Sequence, residues 1–217
     1  MLVTQDQIVA LLTGTGAFLE DHFVLKSGRH GDAYVNKALI TTDTGVTEFL
    51  CAIIAFHFRD KGMELVAGPT VGAVPFTQWI ADWLTRFTGK KVAAIYVDEG
   101  DDSERILKRG YKDMVDGKKV LGIEDILTTG GSAKKTVDAL TEAGANVVGL
   151  AAIVNRNPEE NTAEFFGVPE LLCLVSRPFP DYDAGECPLC ASGTPINVEV
   201  GHGAAYVKEH GQPKAKE

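Results

Sequence analysis

Apolar residues fall along this chain as short unbroken runs separated by longer amphipathic stretches. The runs at residues 64–67, 92–97, 120–123, 146–154 and 171–175 are bounded by glycine, proline or polar turns, the pattern of strands buried on both faces. Between them, residues 43–59 carry Val46, Phe49, Leu50, Ile53, Ile54, Phe56 and Phe58, so a helix apolar round most of its circumference is expected, stopped by Gly62. A second helix holds Trp79 and Trp83 one turn apart as core packing, and a third follows Ser132 and ends at Gly144. At the start, Thr4 and Gln7 have capping-box spacing ahead of a short helix to about Thr13, and residues 23–36 read as two short strands joined by a turn. This alternation predicts an α/β fold: a mostly parallel sheet covered by helices on both faces. Residues 1–217 are expected to form one domain, with 1–36 as a hood segment and 177–217 as a loop-rich C-terminal extension.

The stretch with the most chemistry is KKVLGIEDILTTGGSAKKTVDALTEA, residues 118–143. A buried strand runs into two adjacent carboxylates, Glu124 and Asp125, then into Thr128, Thr129, Gly130, Gly131 and Ser132, and a helix follows. Glycines let backbone N–H groups converge on a small anion, and the first helical turn adds unpaired donors with a partial positive charge. The turn is therefore a phosphate cradle. The carboxylates cannot favour the same phosphate, so they are expected to face ligand hydroxyls or a metal. A sugar phosphate satisfies both halves.

Strand, acidic pair, hydroxyls, Gly-Gly-Ser and helix in this order resemble the ribose-phosphate loop of type I phosphoribosyltransferases, which use 5-phosphoribosyl 1-diphosphate (PRPP). The stretch is neither a P-loop nor a dinucleotide fingerprint, because the acids precede the glycines and no lysine follows them. The segment Phe23-Val-Leu-Lys26-Ser27-Gly28-Arg29 resembles the N-terminal element of the orotate branch. The resemblance implies PRPP binding by Lys26, Glu124, Asp125, Ile126, Leu127, Thr128, Thr129, Gly130, Gly131 and Ser132. It implies stacking of Tyr34 on a pyrimidine, a diphosphate loop at Pro69, Thr70, Val71 and Gly72, and an arginine, Arg156, holding orotate with Thr128 beside it. An arginine at the carboxyl end of a parallel strand also suits a carboxylate on general grounds.

Residues 98–111 break the periodicity, with five acids ahead of Arg105, Lys108 and Arg109, and read as a mobile, solvated excursion. In the resembled enzymes this position holds a catalytic loop that reaches into the neighbouring subunit, which implies a homodimer and gives the three cations a catalytic role beside Glu124 and Asp125. Mg2+ is the implied cofactor, bridging diphosphate and ribose oxygens. The implied reaction converts orotate and PRPP to orotidine 5'-monophosphate and diphosphate in pyrimidine biosynthesis. Two other readings stay open: a purine-type phosphoribosyltransferase, and a regulator that binds PRPP or a nucleotide without turnover.

Composition narrows the partners. With 45% hydrophobic residues the 217-residue chain can bury a core, and a formal charge of −9 argues against a broad nucleic-acid or anionic-membrane surface. No basic run precedes an apolar stretch at the N-terminus, so a cytoplasmic location is the expectation. The last ten residues read as a solvated tail, and His57 as a packed or rim histidine. Cys187-Pro-Leu-Cys190 has the spacing of half a zinc site, which Cys173 or His202 could complete, with reduced structural thiols as the other reading. The CPLC wording also resembles one branch of the orotate enzymes.

Overall fold

The computed structural model describes residues 3–101 and 104–215. In chain order the elements are α1 (Gln5–Gly14), β1 (Phe18–Val24), β2 (His30–Val35), α2 (Lys37–Thr42), α3 (Thr44–Phe58), β3 (Leu65–Pro69), α4 (Val74–Thr88), β4 (Ala93–Glu99), β5 (Arg105–Ile106), α5 (Tyr111–Val115), β6 (Lys119–Leu127), α6 (Gly131–Glu142), β7 (Asn146–Asn155), α7 (Ala163–Phe166), β8 (Leu171–Ser176), β9 (Asp181–Tyr182), α8 (Pro188–Ala191) and α9 (Gly203–His210). They form two compact units, Met1–Val9 with Ile40–Pro178, and Ala10–Leu39 with Phe179–Glu217. Residues 3–9 thus fall with the larger unit rather than with the N-terminal hood, and residues 37–39 with the smaller one. No helix among the described residues is long and apolar enough to cross a membrane.

The larger unit is built on a six-stranded sheet in the order β5-β4-β3-β6-β7-β8. All neighbours are parallel except the short edge strand β5, which runs antiparallel to β4. The apolar runs become strands because every residue of β3 and nearly all of β6 and β7 are buried, so both faces must be apolar. Val137 and Leu140 of α6 join Leu65, Ala67, Ile95, Val97 and Val120 in one core cluster. Elsewhere in the core, Leu50, Ile54 and Phe58 of α3 and Phe76, Ile80 and Leu84 of α4 are fully buried.

The helix borders follow local chemistry. Thr4 and Gln7 make the reciprocal bonds of a capping box, Thr4 N to Gln7 Oε1 at 2.9 Å and Gln7 N to Thr4 Oγ1 at 3.3 Å. Asp43 caps α3 by accepting from Val46 N at 3.0 Å, and Gly62, at φ 73°, closes the 3-10 turn that follows it. Two side-chain expectations shift. Trp79 and Trp83 are only half-buried, Trp83 stacking on Phe87 with centroids 5.2 Å apart, because the inward stripe of α4 is taken by Phe76, Ile80 and Leu84. His57 lies at the rim, its Nε2 2.6 Å from Glu170 Oε1.

The sheet changes direction of growth once. From β3 the chain adds β4 on one side and then crosses back to lay β6 on the other. The carboxyl ends of β3 and β6 therefore flank a topological switch point, where open parallel sheets leave a crevice for ligands.

The smaller unit is a three-stranded antiparallel sheet, β1-β2-β9, with α8 and α9. Arg29 ties the hairpin to β9 through Asp181 at 2.6 Å and Asp183 at 2.8 Å. Residues 208–210 of the C-terminal tail belong to α9 and are exposed, as expected of a solvated segment. Residues 1–2 and 216–217, in the hood and tail segments, lie outside the described residues.

Candidate active site

The site begins where β6 ends. Glu124 and Asp125 are 6% and 5% exposed, held at the inner end of the strand by its pairing with β7, Glu124 opposite Ala152. Glu124 turns toward α6: Ser132 Oγ donates to its Oε2 at 2.9 Å, and the Asp125 N–H donates to its Oε1 at 3.2 Å. Asp125 accepts from Ile126 N at 2.7 Å. Burial, and then the Asp125 charge beside it, push the Glu124 carboxyl up to about 7, against the opposing pull of the Ser132 hydroxyl. The resting site thus holds one carboxyl poised to gain or lose a proton near neutrality.

The turn that follows is fixed by glycine. Gly130 lies at φ 75°, and a Cβ there would stand 2.3 Å from Asn161 Oδ1 and 2.9 Å from Phe165 Cε1, so both backbone conformation and space demand glycine. No side chain caps α6. Its first-turn N–H groups, from Gly131, Ser132 and Ala133, have no carbonyl one turn earlier within the helix, and the helix dipole adds to their pull on an anion.

Arg105 was expected on a solvated loop with Lys108 and Arg109, and the structure differs there. Residues 105 and 106 form β5 against Asp98 and Glu99, and the Arg105 side chain is only 10% exposed. Its Nη1 lies 3.4 Å from Glu99 Oε2 and its Nη2 donates to Ser132 Oγ at 2.9 Å. The Ser132 bond and the Glu99 charge hold the guanidinium at the start of α6. Arg105, Ser132 and Glu124 form one hydrogen-bonded chain across the start of α6. Lys108 is exposed, and Arg109 is paired with Asp98 and stacked over Tyr96. Residues 102 and 103 of the acidic run lie outside the described residues.

Arg156 follows β7. Its N–H donates to Leu127 O at 2.9 Å, which brings it alongside Thr128 at the end of β6. A residue that the sequence reading missed holds this corner. Asn161, 1% exposed, donates from Nδ2 to Thr128 O at 2.8 Å and to Asn155 Oδ1 at 3.1 Å, and Asn155 Nδ2 returns a bond to Asn161 O at 3.2 Å. The clue was the run of asparagines 155, 157 and 161 after an apolar strand, since short amides fold turns back on their own backbone.

Pro69, Thr70, Val71 and Gly72 leave the end of β3. Thr70 N donates to Val97 O at 3.0 Å and Val71 is 82% exposed. Gly68 lies so near β6 that a Cβ would be 2.8 Å from Ile123 O, which sets this loop close beside the acidic strand. Lys26 and Tyr34 belong to the smaller unit. Lys26 is exposed on the hairpin turn, and Tyr34 packs on Phe23 with ring centroids 5.5 Å apart.

Among the described residues, the one group of three or more His, Cys, Asp or Glu side chains within ligating range is His22, His30, Cys187 and Cys190, in the smaller unit. Hence the active-site acids form no cage for a hard cation of the kind Mg2+ needs; two carboxylates could complete the shell of a cation that brings substrate oxygens with it.

Comparison with known proteins agrees with this layout. The family model described as the phosphoribosyl transferase domain matches residues 49–166. The orotate phosphoribosyltransferase of Caldicellulosiruptor bescii is 33% identical over 89% of this chain and 96% of its own length. That of Thermotoga maritima is 34% identical over 87% and 94%. Among solved structures, the Mycobacterium tuberculosis orotate phosphoribosyltransferase in complex with inorganic phosphate superposes with a TM-score of 0.63 at 25% identity, covering 79% of this chain and 95% of that one. With a buried acidic pair, a glycine-bounded anion turn and an arginine beside Thr128 at one switch point, and with relatives matched over nearly their whole length, the chain belongs to the orotate phosphoribosyltransferases.

Proposed function

We propose that the protein transfers ribose 5-phosphate from PRPP to orotate, giving orotidine 5'-monophosphate and diphosphate in the cytoplasmic synthesis of pyrimidine nucleotides. What supports the reading is that Glu124, Asp125, the Gly130 turn and the backbone of Arg156 lie together at the ends of β6 and β7. A polyanionic sugar and a carboxylated base need opposite things, hydroxyl acceptors for the one and a cationic fork for the other, and this corner offers both.

In the reaction the C1–O bond to diphosphate lengthens before N1 of orotate arrives, so positive charge builds on the ribose. Glu124 and Asp125 would accept hydrogen bonds from the ribose hydroxyls and lie near that charge, where preorganised dipoles lower the barrier. The N–H groups from Thr129 to Ser132 would hold the 5'-phosphate, and the loop from Pro69 to Gly72 the diphosphate through its backbone. Arg156 would grip the orotate carboxylate, with Thr128 beside it, fixing N1 in line with C1. Lys26 and Tyr34, from the hairpin, would contribute to PRPP and pyrimidine binding, and Arg105, Lys108 and Arg109 to covering the leaving group, across a homodimer as the family resemblance implies. Glu124 and Asp125 would help hold a Mg2+ that arrives with the substrate, and the ion would supply charge neutralisation for the leaving group.

The test is orotate consumption followed by absorbance with PRPP and Mg2+. Turnover with orotate but not with purine bases is expected, and Arg156→Ala is expected to lose orotate turnover by 10²-fold or more, on the order of a lost bidentate charge pair, while PRPP still binds by calorimetry. PRPP binding without turnover of any base by the wild-type chain would overturn the enzymatic reading.

A further inference from the structure

The smaller unit contains four side chains that the proposed reaction does not use. His22 Nε2 lies 2.9 Å from His30 Nδ1, 3.6 Å from Cys187 Sγ and 3.7 Å from Cys190 Sγ, and His30 Nδ1 lies 3.3 Å from Cys190 Sγ. All four ligand atoms fall within 4.8 Å of one another. His22 and His30 are fully buried and Cys187 is 1% exposed. Neither Cys173 nor His202, the residues the sequence suggested as completing ligands, belongs to the group.

Hydrogen bonding alone does not account for this cluster. His22 Nδ1 sits 2.8 Å from Thr194 O, and a carbonyl can only accept, so Nδ1 carries the proton and Nε2 keeps one lone pair. Three groups crowd that single lone pair. One cation at their centre would be bound by it and by the other three atoms at once.

The spacings match such a centre. With zinc–sulfur and zinc–nitrogen bonds of about 2.3 and 2.0 Å, a tetrahedral site has N···S edges of about 3.5 Å, N···N edges of about 3.3 Å and S···S edges of about 3.8 Å. Three N···S separations lie at 3.3, 3.6 and 3.7 Å; the N···N separation of 2.9 Å needs to open by only a few tenths of an ångström. Two thiolates and two neutral imidazoles cancel the charge of a divalent ion, which a buried site requires. The bond from His22 Nδ1 to Thr194 O is the outer-shell contact that orients metal-binding histidines.

We infer that His22, His30, Cys187 and Cys190 form a closed, four-ligand structural zinc site. The ion pins the β1–β2 hairpin, which supplies both histidines, to α8 and its preceding residue, which supply both cysteines 157 to 168 positions later in the chain. Clipping such distant segments removes loop entropy from the unfolded chain, and a small three-stranded unit gains from a staple because its own core is limited. No open coordination position remains, so the role is architectural rather than catalytic.

Elemental analysis of the full-length chain, purified with reductant and without chelator, is expected to give one zinc per chain. X-ray absorption on that wild-type protein should give a shell of two sulfurs and two nitrogens. Cobalt added to chelator-stripped protein should produce tetrahedral ligand-field and thiolate charge-transfer bands, lost in Cys190→Ser and retained in Cys173→Ser and His202→Ala. A chain that holds no zinc and takes up no cobalt, or a shell rich in oxygen or in four sulfurs, would overturn the assignment, as would loss of the cobalt bands in Cys173→Ser. The absorption measurement needs no variant, so a misfolded Cys190→Ser protein leaves the test intact. Metal content is read without turnover, so its outcome is independent of the proposed activity.

Discussion

Glu124→Gln is expected to make the ligand-free protein more stable at pH 8 while impairing it as an enzyme. Burial and Asp125 raise the Glu124 carboxyl from 4.5 to about 7, and the side chain is almost fully buried, so solvent screening does not dilute the effect. A raised carboxyl keeps its proton in the folded state after the unfolded chain has lost it. Stability therefore falls as pH rises from about 4.5 to about 7 and stays low above that, the window being the gap between the two values. A gap of roughly 2.5 pH units corresponds to about 3 kcal/mol. Glutamine removes that penalty but accepts less strongly from Ser132 Oγ and the Asp125 N–H, a loss of about 1 kcal/mol. The net gain at pH 8 is about 2 kcal/mol, or roughly 4–8 °C in Tm for a chain of this size. At pH 5 the advantage should vanish, because the wild-type carboxyl is already neutral. Thermal and urea unfolding of both proteins at pH 5 and 8 make the comparison, with PRPP and Mg2+ added in a second series, where the wild type should recover the lead. A variant equal to or weaker than wild type at pH 8, or a difference that does not change with pH, would refute the reasoning.

The other expectations come from the same corner. Gly130→Ala should cost about 1–2 kcal/mol for the positive φ alone and also displace Asn161, whose Oδ1 stands 2.3 Å from the added Cβ; orotidylate formation should fall at least tenfold in steady-state kinetics. Asn161→Ala removes the side-chain bonds to Thr128 O and Asn155 Oδ1, leaving two buried acceptors without that donor while the backbone bond from Asn155 Nδ2 remains, so urea unfolding should register a loss of about 1–3 kcal/mol. Because Thr128 is then loosened, KM for orotate should rise while the calorimetric affinity for PRPP changes little; an unchanged KM would remove Asn161 from its positioning role.

The parts of the molecule that could be read from the sequence are those whose reason lies in neighbouring residues. The strands β3, β6 and β7 announce themselves because burial on both faces leaves no polar position to spare, and the Glu124-Asp125 pair followed by Gly130-Gly131 carries its chemistry in order. Features created by distant pairing were less visible. Two residues of β5 sit inside a charged run, and only the antiparallel bond to Asp98 and Glu99 and the contact of Arg105 with Ser132 draw them out of solvent. His22 and His30 are eight positions apart and meet because the hairpin register sets Val24 opposite His30, with an irregularity between Glu20 and Phe23. Cys187 and Cys190 could be suspected as half a site, but their partners lay at the other end of the chain. α9 was missed because it is short and polar, with Gly203 its one buried residue.

The chain from Arg105 through Ser132 to Glu124 also addresses how a protein of formal charge −9 can accept a polyanion at a strand end bearing two acids. If both carboxylates were fully ionised in the empty site, their field would oppose the first-turn N–H groups of α6 from a few ångströms away. Burial and the neighbouring Asp125, by raising the Glu124 carboxyl, weaken that opposition without removing the group. Ribose hydroxyls donate to carboxylates, so a bound sugar would favour the ionised form and lower the Glu124 value. On the proposed binding mode, the charge that would repel an incoming diphosphate would develop mainly once the ribose is seated, beside the carbon where positive charge then grows. Arg105, anchored on Ser132 rather than free in solvent, lies at the same helix start and offsets the remaining negative field. On the proposed binding mode Glu124 costs stability in the empty site, and the pH-dependent gain expected of Glu124→Gln measures how large that cost is.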